Sequence, residues 1–234
     1  MVVRIASLGY QKGFGGHFHN DNSIAALRDI PGLVIGCPSR GDDAVLMLRT
    51  LMAMARVDGR VCAFLEPIAL YMSKDLHETG DGKWQFAWPA PGKAMDFGEG
   101  RVYQGKAEDL VIFTYGNGVP MSLRAARTIE KQQGWKVRVV DLRWLLPLNE
   151  AFIAEQAQSA KRIIVLDEGR RSAGVGEGII TALVEAGHGD KPIERVTGAD
   201  TFTPLADAAL LVLPAEKDIV AAASKLAKTT STAG

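Results

Sequence analysis

Residues 109–142, DLVIFTYGNGVPMSLRAARTIEKQQGWKVRVVDL, carry the pattern that decides the fold. Leu110 to Tyr115 is a continuous apolar run, which suits a strand buried on both faces of a parallel sheet. Pro120 to Gln133 has helical spacing, and Val137 to Leu142 is a second β-branched run. The same alternation continues with a helix expected over Asn149 to Lys161, a strand over Arg162 to Leu166 and a helix over Gly174 to Ala186. Two shorter apolar runs follow, Ile193 to Val196 and Leu210 to Leu213, before a last helix from Ala215 to about Lys228. Repeated βα units with short connections imply a largely parallel, three-layer α/β/α sandwich.

Upstream, the order is strand, Gly-rich loop, helix, strand, helix, strand. The strands are expected at Val2 to Ala6, Leu33 to Cys37 and Val61 to Leu65. Ser39 with Asp42 has the form of a capping box opening a helix over Asp43 to Arg56, whose apolar stripe reads Val45, Leu48, Met52 and Ala55. Met47, Met52 and Met54 are read as gap-filling core rather than a cofactor stripe. Between about Tyr71 and Lys106 the pattern dissolves into Gly, Pro, Trp and scattered charge, so this stretch is read as a domain crossing whose Trp84, Phe86 and Trp88 pack on a neighbouring surface.

Composition narrows the function. Lys+Arg at 27 balance Asp+Glu at 27 across 234 residues, which gives no electrostatic footprint for nucleic acid or an anionic membrane surface. No stretch approaches the ~20 apolar residues of a membrane span, and the two cysteines, Cys37 and Cys62, lie in apolar runs as expected of buried, reduced thiols. A cytoplasmic protein is the expectation.

Chemistry is concentrated in GYQKGFGGHFHNDNS, residues 9–23, a loop that leaves the carboxyl end of a strand, where open α/β sheets bind ligands. His19 can exchange protons near neutral pH, and Gly15 and Gly16 allow close approach of backbone. His17 and His19, with no carboxylate or thiol at a helical i, i+4 offset, make a weak ligand set, so no metal is assigned. Gly80-Asp81-Gly82 reads as a surface turn, Gly174, Gly176 and Gly178 as tight helix–strand packing, and Glu66 as a strand-end carboxylate.

The series GGHFHNDNS, DIPGLVIGCPSRGDDA and FLEPIALY resembles the beta subunit of the thiamine-diphosphate-dependent decarboxylating component of 2-oxo acid dehydrogenase complexes. DLVIFTYGNGV, KVRVVDLRWLLPLN, IIVLDEGRRSAGVGEGI and ERVTGADTFTPLA are similar, in order, to the transketolase carboxy-terminal domain of that subunit. The resemblance implies the second half of a pyrimidine-binding domain at residues 1–71, a linker at 72–107 and a transketolase carboxy-terminal domain at 108–234. It assigns His19, twelve residues before Pro31, to the catalytic histidine, with Gly16, Asn20 and Asp21 on the substrate-side loop and Glu66 in support. Asn20 and Asp21 replace the family's usual Ser and Gln, and an adjacent Asp21 would raise the pKa of His19. Glu168, Arg170 and Arg171 are expected at an interface, with Glu168 salt-bridged to one of the arginines.

The implied reaction is oxidative decarboxylation of pyruvate or a branched-chain 2-oxo acid, with acyl transfer to lipoamide. Thiamine diphosphate and Mg²⁺ would be held mainly by parts outside this chain, which would itself be an amino-terminally truncated, inactive portion. The implied partners are an alpha subunit or alpha-type domain, a second copy of the chain and the lipoyl acyltransferase core. A non-catalytic assembly module and a transketolase-type transferase are the alternative readings.

Overall fold

The computed structural model describes residues 1–10, 18 and 21–231. Its strands are β1 (Val2–Ser7), β2 (Val34–Gly36), β3 (Cys62–Pro67), β4 (Arg101–Tyr103), β5 (Leu110–Thr114), β6 (Val137–Asp141), β7 (Trp144–Leu146), β8 (Ile163–Arg170) and β9 (Ile193–Gly198). Its helices are α1 (Ile24–Arg28), α2 (Gly41–Val57), α3 (Gly118–Gln133), α4 (Glu150–Gln158), α5 (Val175–Glu185) and α6 (Glu216–Ser231). Short 3₁₀ turns cover Ile68–Leu70 and Ala206–Leu211.

Among the described residues the strands form two sheets, in the orders β1-β3-β2-β7 and β4-β6-β5-β8-β9. In the second sheet β6, β5, β8 and β9 are parallel, with β5 and the start of β8 continuously apolar as strands buried on both faces are, and β4 runs antiparallel on one edge. The period of two along β5 and β8 divides their side chains between two cores. Leu110 and Ile112, with Ile164 and Leu166, face Ile129 of α3 and Leu226 of α6. Val111 and Phe113, with Ile163 and Val165, face Ile153 of α4 and Ile179 of α5. The result is a three-layer α/β/α sandwich. Asn149 begins α4 by accepting the Phe152 N–H through its side chain at 3.0 Å, and α3 stops at Gly134, whose φ of +69° only glycine adopts readily.

Two features depart from the sequence pattern. Trp144–Leu146 does not continue the second sheet but pairs antiparallel with β2 of the first, Ile35 opposite Leu146 and Gly36 opposite Trp144. Arg101–Tyr103, inside the stretch expected as linker, forms the edge strand β4, pairing with Val139–Asp141 of β6. One continuous core accordingly joins Leu33, Ile35, Ala63 and Leu65 of the first sheet to Val111, Phe113 and Leu145 of the second half. In the crossing segment, Trp84 is buried and packs edge-to-face on Phe86, whereas Trp88 is exposed. The last apolar run lies in and beyond a 3₁₀ turn rather than in a strand, with Leu210 and Leu211 on the surface.

Helix α2 is rotated from its expected setting. It buries Asp43, Met47 and Leu51, while Met52 is exposed and Met54 only partly covered. The expected capping box does not form. Arg40 occupies the cap without a side-chain bond, Ser39 donates instead to buried Asp141, and Asp42 accepts from Arg40 at 2.9 and 2.7 Å. The cause is Asp43. Its carboxylate accepts Nε and Nη2 of Arg143 at 3.1 and 2.9 Å, and Nε and Nη2 of Arg101 at 3.2 and 2.8 Å. Both Asp43 and Arg143 are fully buried, so that face of the helix must turn inward.

Because removal of one partner leaves the other charge buried and alone, Asp43→Ala should cost about 3–5 kcal/mol of unfolding free energy. Arg101→Ala, whose side chain is 31 % exposed, should cost about 1 kcal/mol or less. Urea denaturation of the two variants checks the ordering, and equal losses would contradict it.

Candidate functional site

The carboxyl ends of β1, β2 and β3 meet the ends of β5 and β8, and an acidic corner lies where they join. Strand β8 begins with four apolar residues and continues into Asp167 and Glu168, both buried. Asp167 is satisfied locally: it accepts the Tyr115 hydroxyl at 2.6 Å, Gly169 N–H at 2.8 Å and Gly176 N–H at 2.6 Å. Gly174 and Gly176 of GVGEG are required by this contact, since a Cβ would lie 2.4 Å from Asp167 Oδ2 at Gly174 and 3.2 Å from it at Gly176, whereas Gly178 makes room for Arg28 and Leu148. The first two pack a helix start against a carboxylate, as their tight spacing suggested.

Glu168 differs from expectation. Among the described residues it forms no salt bridge with Arg170 or Arg171. Its carboxylate accepts Asn117 N–H at 3.1 Å and Asn117 Nδ2 at 2.8 Å. Burial pushes its pKa up to about 8, against the opposing effect of the two Asn117 donors. Its side chain is thus part of the interior, not of an exposed surface. Arg171 is exposed and its backbone carbonyl accepts Arg195 Nη2 at 2.6 Å.

Arg170 instead reaches back to the segment after β1. It pairs with Asp21, donates to Ser23 Oγ at 3.2 Å and to the Thr201 carbonyl at 3.1 Å. Asn22 Nδ2 donates to the Glu168 carbonyl at 2.6 Å, and Ser7 Oγ to the Asp21 carbonyl at 3.1 Å. Two groups of residues that the sequence kept apart, the substrate-side Asp21 and the interface Arg170, are therefore in contact within one chain. His19, Gly16 and Asn20 lie outside the described residues, as does any contact between Asp21 and His19.

Glu66 ends β3 in a second environment. Arg4 and the Tyr71 hydroxyl both bind its carboxylate, with Arg4 Nη2 at 3.1 Å from Oε2. Burial favours the neutral acid, but these donors outweigh it and hold the pKa below the usual range. Glu66 forms part of the wall of a cavity of about 430 Å³, with Arg40, Leu48, Phe64, Trp84 and Phe86. The Arg40 guanidinium lies over the Phe86 ring, 3.7 Å from its centroid.

Gly80-Asp81-Gly82 is a turn. Asp81 accepts the backbone N–H groups of Leu76, His77, Glu78 and Lys83, while Asp75 accepts those of Gly80 and Gly82. The Asp81 carboxylate is thereby committed to its own loop. Cys37 and Cys62 are free and buried, and among the described residues no helix is long and apolar enough to cross a membrane.

The fold and this junction define a transketolase-like α/β architecture. Residues 98–219, more than half of the chain, match the family described as transketolase, C-terminal domain, and the chain belongs to that family. It is 31 % identical over 225 residues to the pyruvate dehydrogenase E1 component subunit beta of Staphylococcus aureus, covering 93 % of this chain and 64 % of that subunit. It is 32 % identical over 217 residues to the 3-methyl-2-oxobutanoate dehydrogenase subunit beta of Mycobacterium tuberculosis, covering 92 % of this chain and 57 % of that one. The chain thus spans less than two thirds of the length of these relatives. A solved structure described as a split gene transketolase, inactive beta4 tetramer, shares the fold with a TM-score of 0.69 at 20 % identity, covering 96 % of this chain and 65 % of that one.

The raised pKa of Glu168 has a definite sign. The native state keeps a proton that the unfolded chain has released between roughly pH 5 and pH 8, so stability falls as pH rises through that window. Glu168→Gln should flatten the fall. Denaturant midpoints at pH 5 and pH 8 for both proteins check this, and parallel slopes would refute it.

Proposed function

We propose that the chain is the beta-subunit portion of a 2-oxo acid dehydrogenase decarboxylating component, acting on pyruvate or a branched-chain 2-oxo acid with acyl transfer to lipoamide. The observation that carries the reading is the likeness to E1 beta-type subunits of both substrate classes, which extends over nine tenths of the chain and so across both sheets. In this reading residues 1–71 are part of a pyrimidine-binding domain, 72–107 the crossing and 108–234 the carboxy-terminal domain. The chain works in the cytoplasm with an alpha subunit or alpha-type domain, pairs with a second copy and docks on the lipoyl acyltransferase core.

Thiamine diphosphate and Mg²⁺ would be held mainly by parts outside this chain, and the Gly-Asp-Gly turn supports this reading. The Asp81 carboxylate, the only part of the Gly-Asp-Gly turn able to bind a cation through its side chain, is saturated by backbone donors. Among the described residues no cluster of His, Cys, Asp or Glu could hold a metal ion. In this reading the main contacts to the cofactor fall to the complementary part of the enzyme. What this chain supplies is the His19 segment, whose carboxyl end is held by Arg170 and by the Glu168 carbonyl. A site completed by another polypeptide also agrees with the structural neighbour, a beta4 tetramer described as inactive.

Two outcomes test the proposal. In an enzyme reconstituted with the complementary part, His19→Ala should lower lipoamide acylation by ~10² or more, the scale of a positioned acid or base, and His17→Ala much less. Equal losses at both positions, or none at His19, would overturn the assignment. The chain alone should show no micromolar binding of thiamine diphosphate with Mg²⁺ in titration calorimetry.

A further inference from the structure

We propose that the groove between β1 and α2 seats a strand and an apolar-faced helix of a second polypeptide, the part of a beta-type subunit that this chain does not span. The inference rests on the beta-subunit reading above and names the surface where the complementary part attaches.

Three observations meet at this groove. Among the described residues β1 pairs on one side only, with β3, so a strand of six residues, VVRIAS, is left as a bare sheet edge. The Cys62 N–H donates to the Met1 carbonyl; by the alternation of a ladder Val3 and Ile5 also bond toward β3, while the N–H and C=O groups of Val2, Arg4 and Ala6 point outward. Such an edge is a template for another strand. Next to it, the rotation that buries Asp43 leaves α2 with a second apolar stripe, Val45, Leu48 and Met52, that is only partly covered, Met52 being 58 % exposed. Finally, Val45 and Leu48 line, with Arg4 of β1 and Phe64 of β3, the cavity of about 430 Å³ already described. It is the space that α2, whose Met47 and Leu51 pack on Val34, Cys62 and Phe64, leaves above the β1 edge.

These features specify the occupant. The strands of a parallel sheet are joined through helices that cover its faces, so the element that extends β1 and fills this space is a strand with its helix. Strand addition to an edge and a helix laid in an apolar groove are both established modes of recognition, and here they adjoin. A small molecule suits the cavity less well. The charged groups on its wall are already paired, Arg4 and Tyr71 with Glu66 and Arg40 with Asp42, and the apolar stripe runs on to Met52 outside it. The likeness to the Staphylococcus aureus subunit covers 93 % of this chain but 64 % of that subunit. More than a third of the relative therefore has no counterpart here, ample for the roughly 30 residues of a βαβ unit.

The test mixes the full chain with the segment of the Staphylococcus aureus subunit that has no counterpart in it, expressed as a separate polypeptide. A one-to-one complex of micromolar or tighter affinity should form in analytical ultracentrifugation, and hydrogen exchange should slow at Val2–Ser7 and along the Val45–Met52 face. Met52→Asp puts a charge on the docked face, and Ala6→Pro removes an outward N–H without touching the β3 ladder; each should weaken the complex at least about tenfold. Leu211→Asp, at an exposed position in the other half, should leave it unchanged. Met52 and Ala6 are both exposed, so these variants should keep the parent's circular dichroism. No complex, protection confined to other surfaces, or a complex indifferent to both variants would overturn the proposal, as would a dimer of the chain alone that the two variants dissolve. A complex on this surface that fails to acylate lipoamide when the enzyme is completed supports the groove and contradicts the proposed reaction; acylation by a complex that leaves the groove unprotected does the reverse.

Discussion

The buried Asp43 carboxylate and the two guanidiniums that share it hold the molecule in its shape. Asp43 belongs to the helix packed on the first sheet, Arg101 to an edge strand of the second, and Arg143 to the turn that carries the chain from the second sheet back to the first. Asp43 Oδ1 accepts two hydrogen bonds and Oδ2 three from these guanidiniums, and Arg143 makes further contacts with Met95 Sδ and the Gly100 carbonyl. Only such complete pairing makes an ion pair in a dry interior tolerable. The arrangement ties three chain segments to one point, and it turns helix α2 so that its charged residue, rather than its most apolar stripe, faces inward.

This tie accounts for the junction. With β7 inserted beside β2, the ends of the first sheet come against β5 and β8, and one core passes between the halves. The halves approach closely at Gly116, whose φ is +52°; a Cβ there would lie 2.7 Å from Glu168 Oε1 and 3.2 Å from Cys37 Sγ. The missing side chain is what lets the end of β5 meet the Glu168 carboxylate and the end of β2. That contact removes Glu168 from water, and Asn117 then becomes its partner, with the Asn117 side-chain carbonyl left without a hydrogen bond among the described residues. Buried acid, close glycine and orphaned amide are consequences of one packing decision.

The same junction bears on function. The segment after the first strand is held at its carboxyl end by Arg170 and by the backbone of Glu168, so its setting depends on the second sheet as well as the first. In a protein of the transketolase C-terminal domain family, this gives the carboxy-terminal domain a part in positioning the other half, alongside any role at interfaces. Glu66 stands apart from this junction, in a cavity lined by aromatic side chains, and is held ionised by Arg4 and Tyr71.

What the sequence determined by itself was the alternation of strands and helices, because strands buried on both faces must be continuously apolar and amphipathic helices must repeat near 3.6 residues. Leu110–Thr114, Val137–Asp141 and the apolar start of β8 were legible for that reason, as were the turn at Asp81 and the close glycines of GVGEG. What only the tertiary structure decided was pairing between distant segments. Nothing local in Trp144–Leu146 says that it leaves one sheet for another, and nothing in Arg101–Tyr103 distinguishes an edge strand from a crossing. Ser39 and Asp42 had the local form of a cap, but Asp141, 102 residues from Ser39, took the hydroxyl. Glu168 had two arginines beside it in sequence, yet burial at the sheet junction gave it Asn117. Local periodicity reports which side of an element is apolar; the partner of a buried charge is set by which distant groups the packed layers bring within hydrogen-bond reach.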